Sequence, residues 1–331
     1  MSTTLPLSPQ EWIAFNERHA TPTFFASPAW SQAVCRVYPH LKPSPMRVQL
    51  PGGKSFIVPL LSATGRLMRW KQLIGMPSGS YTCFSGEDGG LPNSEECAQI
   101  IDALSQYADT LTVVLWPLLP QDKRREGRVT MHETGLIDLR EGAEPALARV
   151  SGISRRMAGQ ASRRGVTCNH EAGSEAVDLY YEMLEESAHR WGLPAPTISK
   201  TLLAAAVELG GDDVQIWIVR HGDNAIAGGV ILYGSREMFF WSAAMRTEYS
   251  ALRPSNALNF ALIGAAAQRG VDWYNLGSSE GLPGVARFKR DLGAQTSYYA
   301  SIQVEKPSYR LFRQARQFLK APRLRRPAAV R

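Results

Sequence analysis

The chain has 331 residues, of which 44% are hydrophobic, and a formal net charge of +7. That is room for about two globular domains with real cores. No run approaches the roughly 18 apolar residues of a membrane span. The four cysteines, Cys35, Cys83, Cys97 and Cys168, are scattered without a C-x-x-C, which argues against a zinc site or a disulfide framework. From the start, Leu7 to His19 reads as a helix, with Ser8 as N-cap and Pro9 at the first helical position. Ser27-Pro28 repeats the signal before a helix from Ala29 to Val37. Strands follow at Met46 to Leu50, Ser55 to Leu61 and Arg66 to Ile74, the first two joined by Pro51-Gly52-Gly53. Gly53-Lys54-Ser55 is no P-loop, because position 48 is Val48 where that motif needs glycine. Gly75 to Pro92 is a Gly/Ser/Pro-rich loop. A helix capped by Ser94 runs to about Ala108, and strands fall at Leu111 to Trp116 and Val129 to Leu139.

The second half repeats this order. Helices at Glu175 to Trp191 and Ser199 to Leu209 precede strands at Val214 to Arg220, Ala225 to Tyr233 and Glu237 to Met245. Then come a helix from Ser255 to Arg269, a strand from Val271 to Leu276, a short helix, and a strand from Thr296 to Val304. The identities do not align, but the element order does, which predicts a duplicated α/β (α+β) fold. The expected division is 1–140, 141–306 and a basic tail, 307–331. Between the repeats, Arg156 and Arg163 are seven residues apart, so on a helix they share a face about 10 Å apart. They form either a phosphate-facing stripe or part of a solvated connecting helix. The tail interleaves Tyr309, Phe312 and Phe318 with Arg310, Arg313, Arg316 and Lys320. It reads either as an amphipathic helix touching RNA or a membrane surface, or as a packed terminal helix with a disordered end.

The basic balance favours acidic partners such as RNA, phosphorylated ligands or an anionic membrane surface. Many soluble proteins are mildly basic, however, and part of this excess lies after Lys306. The first residues, MSTTLPLSPQEW, have neither the basic start nor the apolar run of a signal peptide. The expectation is a soluble, cytoplasmic protein.

The most informative stretch is Tyr274 to Gln295, YNLGSSEGLPGVARFKRDLGAQ. A strand ends in Gly277, a glycine-rich loop follows, and a short helix carries Val285, Phe288 and Leu292 on one face. At roughly 100° per residue, Lys289 lies about 70° from the centre of that face, while Arg287 and Arg290 lie about 130° and 170° away. Lys289 thus borders the buried side, placed either to meet a ligand or to snorkel with its amine in water. Gly277-Ser278-Ser279-Glu280-Gly281 mimics a nucleophile elbow. That chemistry needs a histidine after the serine, and all six histidines precede Ser279.

Several motifs together resemble the FemABX family of aminoacyl-tRNA-dependent transferases and the related acetyltransferase-6 proteins, built from two GNAT acyltransferase-like units. Phe288-Lys289-Arg290-Asp291-Leu292-Gly293 resembles the F-K-x-x-F-G segment, with Leu292 replacing the aromatic. Tyr249, Leu252, Pro254, Asn256 and Leu258 resemble Y-x-x-L-x-P-x-x-L. Arg155, Arg156, Arg163, Arg164 and Gly165 resemble the basic linker, and Ser27-Pro28-Ala29-Trp30 the N-terminal segment with its tryptophan. The resemblance implies a tandem GNAT-like fold, a transfer cleft in the second unit, and aminoacyl transfer from tRNA to an amine acceptor with no further cofactor. It implies that Lys289 stabilises developing negative charge or holds an acidic part of a substrate, with Phe288 beside it. Tyr249 and Asn256 would shape the cleft, as would Ser278 and Trp30. Glu280 would accept the amine proton, or be merely solvated, and Arg156 and Arg163 would meet phosphates. GNAT proteins that bind acetyl-CoA carry a glycine-rich loop after the fourth strand, where bare N–H groups meet the pyrophosphate. Here Met245 to Ser255 contains no glycine. Acyl-CoA transfer is one competing expectation, and a non-catalytic RNA- or membrane-binding module is the other.

Overall fold

The structure is a computed structural model that describes residues 2–63, 70–77, 79–121, 128–279 and 281–320, the last five by backbone alone. The first unit begins with β1 (Thr3–Pro6), α1 (Pro9–Arg18) and α2 (Pro28–Val37). The predicted caps are in place: the Ser8 side chain accepts from Glu11 N–H in a capping box, and the Ser27 side chain accepts from Trp30 N–H. Short strands follow: β2 (Leu41–Pro43), β3 (Met46–Gln49), β4 (Ser55–Val58), β5 (Leu61–Ala63), β6 (Gln72–Ile74) and β7 (Ser85–Gly86). The strand expected at Met46 to Leu50 is β3, whereas the one expected at Ser55 to Leu61 is split at Pro59 into β4 and β5, which lie in different sheets. A proline cannot donate to a ladder, so the chain changes sheet there. The unit closes with α3 (Ser94–Tyr107), β8 (Thr110–Val114) and β9 (Arg128–Asp138). Asn93, not Ser94, caps α3, paired with Glu96 in a second capping box.

The linker holds two helices, α4 (Ala143–Arg149) and α5 (Gly152–Arg163). The second unit opens with β10 (Val166–Glu171), a strand the sequence pattern did not reveal because it alternates weakly. It continues with α6 (Gly173–Arg190), α7 (Lys200–Gly210), β11 (Val214–His221), β12 (Asn224–Tyr233) and β13 (Glu237–Met245). Then come α8 (Pro254–Arg269), β14 (Trp273–Asn275), α9 (Pro283–Asp291), β15 (Gln295–Glu305) and α10 (Pro307–Lys320).

The main sheet has the order β10-β11-β12-β13-β14-β9-β15-β8-β6-β5-β2, and β1-β3-β4-β7 form a smaller one. The two units exchange their last strands. β9, which follows β8 in the chain, pairs with β14, while β15, which follows α9, pairs with β8. β9 and β15 also pair with each other, from Leu136 with Gln295 to Arg128 with Gln303. A division near residue 140 therefore separates the units along the chain but not in the sheet. One apolar cluster joins the first unit to α6 and α7, and a second lies where α4, α5 and α8 cover the other face of the second unit's strands. α10 rests Tyr309 and Phe312 on Trp70, with ring centroids 5.6 and 5.5 Å away. Among the described residues no helix is long and apolar enough to cross a membrane.

Candidate active site

The strands that make the site are β13 and β14, which run parallel only from Glu237–Trp273 to Phe239–Asn275. β14 stops there, whereas β13 continues to Met245 paired with β12 alone. A crevice opens at the carboxyl ends of two parallel strands, the usual place for ligands in open α/β sheets. β13 also carries one extra residue, Trp241, between the partners of Ile231 and Val230. Such a bulge bends the strand and re-aims a side chain, and Trp241 lines the resulting cavity.

The cavity encloses about 630 Å³. β13 supplies Phe239 to Ala243, the turn after β14 supplies Leu276, Gly277 and Ser278, and α9 supplies Val285, Phe288 and Lys289. Tyr299 comes from β15, and Tyr81 from the loop of the first unit. Gly277 has a φ of +71°, which permits the sharp turn out of the strand. In α9 the helical-wheel reading holds for the cations: Lys289 is 9% exposed, while Arg287 and Arg290 face solvent. It holds less well for the apolar residues. Leu292 is buried, but Val285 is 37% exposed and opens, with Phe288, into the cavity. Lys289 does not snorkel. Its Nζ donates to the carbonyls of Gly277 and Ser278, both at 2.7 Å.

Behind this wall lies a buried polar network absent from the sequence reading. Asn275 Oδ1 accepts from Thr134 Oγ1 at 2.6 Å and from Gly277 N–H at 2.9 Å, while Asn275 Nδ2 donates to Glu237 Oε1 at 2.7 Å. Glu237 is fully buried. Burial pushes its carboxyl above the usual range, and the Asn275 amide, the Thr23 hydroxyl and the Trp116 indole oppose that rise. Thr134 belongs to the first half of the chain, so the network ties both units to the turn that Lys289 holds. The only sequence signal was a polar residue, Asn275, between the apolar Tyr274 and Leu276. Asn259 also lines the cavity, fixed by Tyr274 Oη donating to its Oδ1 at 2.8 Å and by its own Nδ2 donating to Ser255 O at 2.9 Å.

Of the residues expected at the site, Lys289, Phe288 and Ser278 meet at the cavity. Asn256, 7% exposed, lines a neighbouring cavity of about 260 Å³ that shares Phe288 and opens at the start of α8. Tyr249 packs, half-buried, against the core beneath α8 and lines neither cavity. Trp30 does not line the cavity either. It is fully buried, and its ring meets Trp241 edge-on at 5.3 Å, because the helix it opens packs inward on its apolar face. Arg156 and Arg163 are exposed on α5, away from the cavity. Glu280 lies outside the described residues. Among the described residues no cluster of three His, Cys, Asp or Glu side chains is arranged to hold a metal ion.

Residues 149–290 match the family model of the acetyltransferase (GNAT) domain. The match covers the second unit through Lys289, where the crevice lies. The crystal structure of FemX superposes on 93% of this chain and 99% of its own, with a TM-score of 0.66 at 11% identity. A conserved protein of unknown function from Bacteroides thetaiotaomicron is also similar, covering 91% of this chain and 100% of its own, with a TM-score of 0.54 at 11% identity. No curated protein matches the sequence. The chain has the tandem GNAT-like fold that its motifs implied, an acyltransferase-type fold.

Proposed function

We propose that this protein is an acyltransferase that forms an amide bond, moving an aminoacyl group from aminoacyl-tRNA to an amine acceptor in the crevice between β13 and β14. The observation that carries the reading is a crevice between splayed parallel strands, walled by a buried lysine from a Phe-Lys helix within the GNAT match. In the reaction, the acceptor nitrogen bonds to the ester carbonyl carbon and the carbon–oxygen bond to the ribose breaks. The amine proton ends on the departing ribose oxygen. The ester is already activated, so positioning and charge stabilisation suffice. Lys289 brings an ammonium to the wall where the oxyanion develops, and Phe288 flanks the acyl group. Arg156 and Arg163 extend an exposed basic face to tRNA phosphates. The acceptor is a small amine or a cell-wall-precursor-like amine.

The choice of tRNA over CoA is supported by the start of α8. Pro254 has no N–H, and the amides of Asn256 and Ala257 already donate to Arg253 O. A pyrophosphate cradle needs such amides bare. Acyl-CoA remains the second donor tested. The decisive measurement is binding of acetyl-CoA and of mixed aminoacyl-tRNA, each at two salt concentrations. Tight, salt-sensitive binding of charged tRNA is expected. Binding of CoA alone would move the protein to acyl-CoA chemistry. Binding of neither would refute the reading in favour of a non-catalytic module.

A further inference from the structure

The cavity is unusual in what its walls lack. Among the described residues lining it, Lys289 is the sole charged side chain, and no carboxylate is present. The far wall is aromatic and rigid. Tyr81, Phe239 and Tyr299 stack edge to face, with Tyr81 5.6 Å from Phe239 and 5.0 Å from Tyr299. Phe25 of the core braces both Tyr81 and Phe239, at 5.8 and 5.1 Å, and Trp30 pins Trp241. A wall held by this many ring contacts does not adapt readily to a different occupant.

Tyr81 is the one aromatic in this wall that the first unit supplies, and the fold explains how it gets there. In the first unit the parallel strands β6 and β8 correspond to β13 and β14. There, however, the crevice is shut. Gly75 N–H donates to Thr112 O, Thr82 N–H donates to Val114 O, and Trp116 N–H donates to Thr82 O, so the chain after β6 stays bonded alongside β8. The loop that closes this crevice carries Gly79 and Tyr81 across to the second unit's cavity. The Tyr81 hydroxyl sits beside Thr134 and Asn275, the network that holds the turn under Lys289.

We propose that this cavity selects an acyl group whose side chain is neutral, apolar and of roughly aromatic size, with Tyr81 from the first unit as the residue that sets its limit. The proposal rests on the acyltransferase reading for what the group is attached to, but not for what the cavity accepts. A lysyl or arginyl side chain would meet no carboxylate among the described lining residues and would face the charge of Lys289. An aspartyl side chain would lose its hydration among aromatic rings, while the Lys289 ammonium already serves two carbonyls. A phenylalanyl, leucyl or comparable group would bury its apolar surface against Phe239, Trp241 and Tyr299.

The test uses carrier-free surrogates first: the N-acetyl amides of phenylalanine, leucine, alanine, lysine and aspartate, titrated into the full chain by calorimetry. The phenylalanine and leucine amides are expected to bind about ten-fold or more tightly than the lysine and aspartate amides. Tyr81→Phe is expected to keep that ranking. Tyr81→Ala is expected to shift the preference toward the larger naphthylalanine amide by about ten-fold. Lysine or aspartate amides binding as tightly as phenylalanine, or no amide binding at all, would overturn the proposal. So would a ranking that Tyr81→Ala leaves unchanged. Transfer from phenylalanyl-, alanyl- and lysyl-tRNA and from acetyl- and phenylacetyl-CoA is then measured. An apolar ranking with no transfer from either carrier would sink the acyltransferase reading and leave the cavity assignment standing. Efficient transfer with lysyl preferred would do the opposite.

Discussion

Lys289→Met separates what this lysine holds from what it catalyses. The substitution keeps most of the buried stem and removes the ammonium that bonds Gly277 O and Ser278 O. A buried carbonyl left without its partner costs about 1–3 kcal/mol. Water entering through the open cavity recovers part of that for Ser278, so a total loss of about 2–4 kcal/mol is expected. For a chain of this length, with unfolding entropy near 2 cal/mol/K per residue, that corresponds to a fall in Tm of about 3–6 °C. Urea unfolding gives the free energy, and amide exchange at Gly277 and Ser279 shows whether the turn has loosened. Transfer assayed well below the lowered Tm then reads the catalytic contribution. Loss of one charge-stabilising donor should lower kcat by about 10²–10³. A variant with unchanged stability and unchanged exchange would refute the holding role. One that loses only stability, with full kcat, would refute the catalytic one.

Glu237 gives a pH prediction. Its carboxyl titrates higher in the folded protein than unfolded, because burial disfavours the ion. Its contribution to stability is therefore fully present below the unfolded value and is lost as pH rises toward the folded one, by up to about 1.4 kcal/mol per pH unit. Glu237→Gln removes that dependence, so its stability relative to the parent should rise between pH 4.5 and 7; a constant difference would refute the shift. Trp30→Ala empties a fully buried site and should cost about 3–5 kcal/mol. It should also weaken ligand binding through Trp241 although Trp30 touches no ligand, and a variant of normal stability would contradict the core placement. Arg156→Ala with Arg163→Ala should leave the unfolding midpoint unchanged, since both side chains are exposed. It should lower the slope of log K against log salt for tRNA binding by about 1–2. An unchanged slope would return these arginines to the role of a solvated helix face.

Much of this architecture was legible in the chain itself, wherever local physics decided it. Capping residues with proline behind them placed α1 and α2, and the 3.6-residue pattern placed α6, α7 and α8. The angular position of Lys289 on α9 showed that it alone of three neighbouring cations turns inward. The repeated order of elements, together with the Phe-Lys segment, pointed to a tandem of GNAT-like units, which is the fold observed. What failed locally also has local causes. Asn93 outcompetes Ser94 as a cap because Glu96 is three residues away and completes the box. Trp30, matched by motif, proved to be a core residue, because a motif does not say whether a side chain meets a ligand or the rings behind it.

Only the tertiary structure decided how the units share a site. The exchange of β9 and β15 depends on pairing between strands more than 150 residues apart, which no local pattern encodes. The same holds for Tyr81, whose loop reaches the second unit's cavity only because the first unit's crevice is closed. It holds too for the buried network, where Glu237 and Asn275 lie 38 residues apart and Thr134 and Asn275 141 apart. Sequence periodicity reports which face of an element is apolar. It does not report what lies across from that face, and at this cavity the residues across from one another come from both halves of the chain.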